Sequence, residues 1–158
     1  MPEGLHIKAM TAVTSDTDNN RFVIGSSSLQ RPNELHFLTY SEDANRISVD
    51  KIFRLPDKNA EVTQLRTSPI NPEVVVTALS SAKDHKAVLY ACKEQELEEM
   101  ITFKGKHRSG IHSLIWEGAE SVHEISYTDL IMADQDVVSI FDVNSGQVKL
   151  ELEATLDR

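Results

Sequence analysis

Cysteine is nearly absent. Cys92 is the only one, so no intrachain disulfide can form, and nothing in the residues calls for an oxidising compartment. Long apolar runs are missing too. The longest, Ala87-Val-Leu-Tyr-Ala-Cys92, has six residues, where a membrane-spanning helix needs about 20. Glycine and proline number 6 and 5, too few for a collagenous or disordered chain. Positive charge is scarce: 16 Lys and Arg stand against 25 Asp and Glu, a formal charge of −9. A nucleic-acid binder needs a basic stripe to neutralise phosphates. The same deficit argues against an electrostatic grip on anionic lipid. Met1 to His6 carry neither a basic nor an apolar segment, so no signal peptide is read there. The expectation is a soluble, acidic, intracellular globular chain. Its 158 residues make one domain of ordinary size or a piece of a larger one.

What the chain does have is a succession of short β-prone runs. Arg21-Phe-Val-Ile-Gly25, Leu35-His-Phe-Leu-Thr-Tyr40 and the alternating stretch from Asn45 to Leu55 are separated by polar clusters rich in Ser, Asp, Asn and Pro. Strand, turn, strand at short spacing reads as an all-β meander. One segment competes. From Cys92 to Phe103, Leu97, Met100 and Ile101 are spaced i, i+3, i+4, which suits one helix face. The alternative is a hairpin turn near Lys93 to Glu96 and a strand through Phe103.

The runs repeat. Leu35-His-Phe-Leu-Thr-Tyr40, Ala87-Val-Leu-Tyr-Ala-Cys92 and Val138-Ser-Ile-Phe-Asp-Val143 begin 52 and then 51 residues apart. Each follows another apolar run, at Phe22, Val74 and Leu130, and precedes a further strand. Val62-Thr-Gln-Leu-Arg-Thr-Ser-Pro69 matches Ile111-His-Ser-Leu-Ile-Trp-Glu-Gly118 at its first and fourth apolar positions. The unit is four strands in about 50 residues, three times over. A four-stranded meander cannot bury both faces alone, and stacking such sheets about an axis does so. The expected fold is an all-β propeller with three blades, near 4–56, 57–106 and 107–158, in an incomplete ring. The extra length over a typical WD repeat is expected in a loop at 117–129.

Phe141-Asp-Val-Asn-Ser-Gly146 resembles the third-strand ending of a WD repeat, an aromatic and an Asp before a turn with Gly. The other two units have Leu38-Thr39 and Tyr90-Ala91 there. The N-terminal stretch Lys8-Ala-Met-Thr-Ala-Val-Thr, its acidic polar loop, then Arg21-Phe-Val-Ile-Gly-Ser-Ser-Ser-Leu29 and Asn33-Glu-Leu-His36 is similar to the EARP and GARP complex-interacting protein family. The first 45 residues carry most of this resemblance, and about the first 100 carry all of it. It implies a propeller without catalytic activity or cofactor. Such a protein associates with the tethering complexes of endosome-to-Golgi retrieval, endosomal recycling and dense-core vesicle sorting. It would be cytoplasmic, and peripheral at the trans-Golgi network and endosomes through its partners. A scaffold of another assembly, such as a ubiquitin-ligase or chromatin adaptor, is the alternative. Three blades leave the ring open, so the chain is expected to be the N-terminal part of a longer polypeptide. Otherwise the remaining blades come from another chain.

No residue pattern points to chemistry. His6, His36, His85, His107, His112 and His123 are scattered, and His107 with His112 lacks the cysteine partners of a zinc site. His112 sits where WD repeats keep a histidine for packing hydrogen bonds. Cys92 reads as a small buried hydrophobe rather than a nucleophile. Ser26 to Ser28 lack the glycine and lysine pattern that cradles phosphate. Glu94, Glu96, Glu98 and Glu99 read as a solvated hairpin, and Asp134 and Asp136 as a tight turn. Trp116 reads as core. The basic cluster Lys104-Gly-Lys-His-Arg108 falls in a blade-to-blade loop. Such loops, at 57–61 and 104–110, are the expected contact surfaces for a protein partner.

Overall fold

The computed structural model describes residues 6–28, 31–120 and 125–154. Within them the regular elements are strands in three four-stranded antiparallel sheets. The first sheet is β1 (Ile7–Ala12), β2 (Asn20–Ser26), β3 (Glu34–Ser41) and β4 (Arg46–Arg54). The second is β5 (Glu61–Thr67), β6 (Val74–Ser80), β7 (His85–Lys93) and β8 (Glu96–Phe103). The third is β9 (Ser113–Glu120), β10 (Ile125–Ala133), β11 (Val137–Asp142) and β12 (Val148–Glu153). In each, the strands neighbour one another in chain order. The first strands lie close, with β1 against β5 and β5 against β9, while the last strands β4 and β8 barely meet. The sheets are therefore blades of a wedge, with their first strands innermost.

One irregularity repeats in every blade. The register between third and fourth strands shifts at Phe37/Leu38, at Leu89/Tyr90 and at Ile140/Phe141. These bulges recur at the spacing of the sequence repeat, and each leaves one extra residue on the outer strand: Asp50, Met100 or Lys149.

The bulge also decides the segment that could have been a helix. Leu97 pairs with Cys92 and packs on the core shared with the first blade. Ile101 lies beyond the bulge and packs on the core shared with the third. A helix would put both on one face; the bulged strand sends them to opposite faces. The turn before it is tight, with Glu94 at φ 33°.

Two cores fill the seams. Between blades one and two lie Val23, Leu35, Phe37 and Phe53 on one side and Val62, Leu65, Val75 and Tyr90 on the other. Between blades two and three lie Val76, Ala78, Leu89 and Phe103 against Leu114, Leu130, Met132 and Phe141. Neighbouring residues of β6, Val75 and Val76, thus serve opposite seams. That is why β6 and β7 read as unbroken apolar runs rather than alternating ones. The aligned pairs Val62 with Leu65 and Ile111 with Leu114 fill the inner ends of the two seams. At Gly25 the second blade's side chains press on the backbone of the first: a Cβ there would lie 2.5 Å from Val62 Cγ1.

One expectation is corrected. In the segment 117–129, expected as a loop, the described residues 117–120 and 125–129 are strand: β9 runs on to Glu120 and β10 begins at Ile125, with a bulge between Ser126 and Asp129, and 121–124 lie outside the described residues. The four strands expected of the first unit are all present, and its first is β1, held to β2 by its ladder and to β5 by the Lys8–Glu61 ion pair at 2.8 Å.

Candidate functional site

The connections β2–β3, β4–β5, β6–β7, β8–β9 and β10–β11 emerge at one end of the blades, where they contact one another. This end carries both loops expected to meet a partner. In blade one, Asn33 is fully buried and uses its whole amide. Its Oδ1 accepts from Ser28 N at 2.7 Å and Ser26 Oγ at 3.2 Å. Its Nδ2 donates to Ser28 O at 3.1 Å and, across the seam, to Ala60 O at 2.7 Å. The loop 55–60 is thereby clasped to the β2–β3 turn. Ser26 to Ser28 are part of this clasp, and Ser26 Oγ also accepts from Glu34 N at 2.7 Å. Asn33 was legible only as a turn residue. The signal it offered was a buried-type partner set, two serines at −7 and −5.

In blade three the clasp is ionic. Asp134 turns β10 into β11 by accepting from Asp136 N at 2.9 Å and Val137 N at 2.7 Å on Oδ1. Its Oδ2 accepts from Arg108 N at 3.0 Å and Ser109 N at 3.3 Å in the incoming loop. The carboxyl is 1% exposed. Burial pushes its pKa up, but the four backbone N–H donors outweigh burial and hold it down at about 2. His107 lies beside it, also buried, with Nδ1 3.6 Å from Asp134 Oδ2. Neither ring nitrogen of His107 makes a hydrogen bond within the described residues. Of the two histidines His107 is the buried one, whereas His112, expected to pack, is exposed on the loop. The loop turns inward at His107 and back out before Ile111, a reversal that spacing alone does not reveal.

The basic cluster is tied down by its neighbours. Lys104 pairs with Asp84 at 3.3 Å, and Lys106 with Glu151 and Glu153 at 3.2 and 3.1 Å. Asp57 meets Lys86 at 3.6 Å. These exposed pairs hold the loops in place and leave Lys58, Asn59 and Arg108 turned to solvent.

The remaining candidates are dispersed. His6 is exposed; His85 Nδ1 meets Ser80 Oγ at 2.8 Å; His36 Nε2 meets Glu34 Oε2 at 3.1 Å. His123 lies outside the described residues. Cys92 is buried in the first seam, and burial pushes its thiol up to about 12, which leaves no thiolate to react. Glu94, Glu96, Glu98 and Glu99 are exposed, with Glu98 paired to Lys93 at 2.8 Å. Trp116 packs on the second seam. Asp142 caps the β11–β12 turn, accepting from Asn144 N at 3.0 Å and Ser145 N at 2.8 Å, with Gly146 at φ 72°. Among the described residues, no three His, Cys, Asp or Glu side chains converge as metal ligands would. A recess of about 560 Å³ at the rim of blades one and two is lined by Glu34, His36, Ile52, Phe53, Arg54, Gln95 and Leu97. Its carboxylate, Glu34, is held between His36 and Arg54.

Known proteins share the fold of this chain. The crystal structure of the C-terminal WD40 domain of Sif2 matches with a TM-score of 0.60 at 18% identity, covering 94% of this chain and 37% of that one. The fold is that of a WD40 domain, with the ring not closed. No family model matches the chain. By sequence, this open WD40 chain is 26% identical over 102 residues to the EARP-interacting protein homolog of Gekko japonicus. It is equally similar to the EARP and GARP complex-interacting protein 1 of Homo sapiens. Each alignment covers 65% of this chain and 25% of the relative. The WD repeat-containing protein DWA2 of Arabidopsis thaliana is 23% identical over 115 residues, 69% of this chain and 32% of that protein. The chain thus spans about a quarter of the length of the first two relatives.

Proposed function

We propose that this chain is a non-catalytic protein-interaction scaffold that associates with the EARP and GARP tethering complexes. One observation carries the reading: the similarity to proteins named for interaction with those complexes extends over 65% of this chain. The loop end of the blades suits the role. Asn33, Asp134 and the exposed ion pairs fix the loops before any partner arrives, which lowers the ordering cost of docking. The docking surface on this reading is the pair of loops at 57–61 and 104–110, through their solvent-facing residues. The role is in endosome-to-Golgi retrieval, endosomal recycling and dense-core vesicle sorting. The protein is cytoplasmic and reaches the trans-Golgi network and endosomes through its partners. No described helix is long and apolar enough to cross a membrane.

The test is quantitative mass spectrometry of proteins co-purified with the tagged protein from cells. Enrichment of the subunits shared by the two complexes is the expected result. Their absence, with the blades folded, removes this reading. The similarity to DWA2, a WD repeat-containing protein, favours a second one, a WD-repeat scaffold of another assembly. The enriched proteins would then name that assembly.

A further inference from the structure

The two ends of the blades carry opposite charge. At the loop end, the connections β2–β3, β4–β5, β6–β7, β8–β9 and β10–β11 hold Arg31, Lys58, Lys83, Lys104, Lys106 and Arg108 against Asp57, Asp84, Asp134 and Asp136. At the other end, the connections β1–β2, β3–β4, β5–β6, β7–β8 and β11–β12 hold Asp16, Asp18, Glu42, Asp43, Glu73 and Glu94, and no Lys or Arg. The acids of the loop end are mostly in use. Asp57 pairs with Lys86, and Asp84 with Lys86 and Lys104. Asp134 is buried on its four backbone donors, and Asp136 is exposed. Arg31, Lys58, Lys83 and Arg108 are exposed, and among the described residues none of the four forms an ion pair. Their connections are fixed to one another. Asn33 reaches Ala60, Asp57 reaches Lys86, Asp84 reaches Lys104, and Arg108 N donates to Asp134. The free cations therefore ride on one continuous surface of a chain whose formal charge is −9.

We propose that the loop end takes an acidic polypeptide segment, whose carboxylates meet Arg31, Lys58, Lys83 and Arg108 together. This rests on the reading that the loop end docks a protein partner, and it adds Arg31 and Lys83 to the two loops given there. A cation with no partner in its own chain meets a carboxylate without first breaking a bond, which Lys86, Lys104 and Lys106 cannot do. Ends of opposite sign also turn an approaching acidic segment toward the loops before contact. A short segment fits within the patch. Nucleic acid or an anionic bilayer extends past it, over a body that is acidic as a whole, and is repelled there.

The test is fluorescence anisotropy of a labelled peptide of alternating Glu and Ser, titrated with the purified native protein at low salt. The variant is Arg31→Glu with Lys83→Glu. Both residues are exposed on turns outside the loops 57–61 and 104–110, so the circular-dichroism melt stays as it was. The expected result is binding weakened by about tenfold, with the difference shrinking as salt rises. The same peptide with Gln for Glu does not bind. Glu42→Lys with Asp43→Lys, at the opposite end, changes the affinity by no more than about twofold at physiological salt. Unchanged affinity in the Arg31 and Lys83 variant overturns the proposal, as does a Gln peptide that binds as well as the Glu peptide. Phosphatidylserine vesicles or duplex DNA bound more tightly than the peptide also overturn it, and assign the patch to phosphate. Co-purification separates this proposal from the reading beneath it. Shared tethering subunits retained by the variant overturn the acidic segment and leave the tethering role standing. Their absence from the unaltered protein, with the peptide still bound, removes the tethering role and supports an acidic partner from another assembly.

Discussion

Between blades one and two the polar clasp is a neutral amide, Asn33, whereas between blades two and three it is a carboxylate, Asp134, with His107 beside it. Both clasps sit at the same end of the molecule and both are buried. Both hold a β2–β3-type turn to a loop between blades. They differ in how they satisfy burial. The amide has donors and acceptors of its own and finds a partner for each. The carboxylate only accepts, so it gathers four backbone N–H groups, two from its own turn and two from the loop. The apolar parts of the seams differ less. Each has an edge-on aromatic pair, but Phe37–Phe53 lies within blade one, at 5.7 Å, while Phe103–Phe141 bridges blades two and three, at 5.6 Å. The second seam therefore concentrates both its aromatic contact and its charge across the boundary between blades.

The largest effect is expected from that bridging pair. Phe141→Ala should cost about 3–5 kcal/mol of unfolding free energy by urea denaturation. A loss under about 1 kcal/mol would mean the second seam is not held by its core. Next come the clasps, which respond differently to pH. Asn33→Ala should cost about 1–3 kcal/mol, because it strands the buried Ala60 carbonyl and Ser26 hydroxyl. That loss should be the same at pH 7 and pH 3. Asp134→Asn should cost about 2 kcal/mol at pH 7 and progressively less as pH falls toward and below 2. The sign follows from a folded pKa of about 2, below the ordinary 3.8. The stabilisation is complete above the unfolded value and disappears as pH falls from about 4 through 2. Unfolding curves of both variants against pH separate the two clasps, and parallel curves would erase the contrast. The smallest effect belongs to the exposed pairs. Lys106→Ala should leave the urea midpoint almost unchanged, with the small loss fading at high salt.

The repeat was legible because it is written in side chains that must be apolar whichever blade they serve. Leu35, Ala87 and Val138 stand at matching distances before the three bulges, so the register of the fold is the register of the sequence. Where the pattern misled, a local feature had broken the period. Met100 is the extra residue of a bulge, and it moves Ile101 to the opposite face from Leu97, which imitates helical spacing. β1 was weak in sequence because only Ala9 of its six residues is buried. At the loop end, residue type gave little away. Asn33 resembles any turn asparagine until Ala60 arrives from 27 residues later, and His107 is distinguished from His112 only by the inward path of a loop. The solvent-facing residues Lys58, Asn59 and Arg108 carry no pattern, because a docking surface answers to its partner's shape rather than to the period of the strands.

The central claim is that these fixed loops dock a tethering complex without chemistry. The most direct measurement is sedimentation of the purified native protein with the purified EARP complex. The account predicts co-sedimentation that is weakened by reversing Lys58 and Arg108 to Glu, with the circular-dichroism melt unchanged. Separate sedimentation of a folded protein from an intact complex would contradict it.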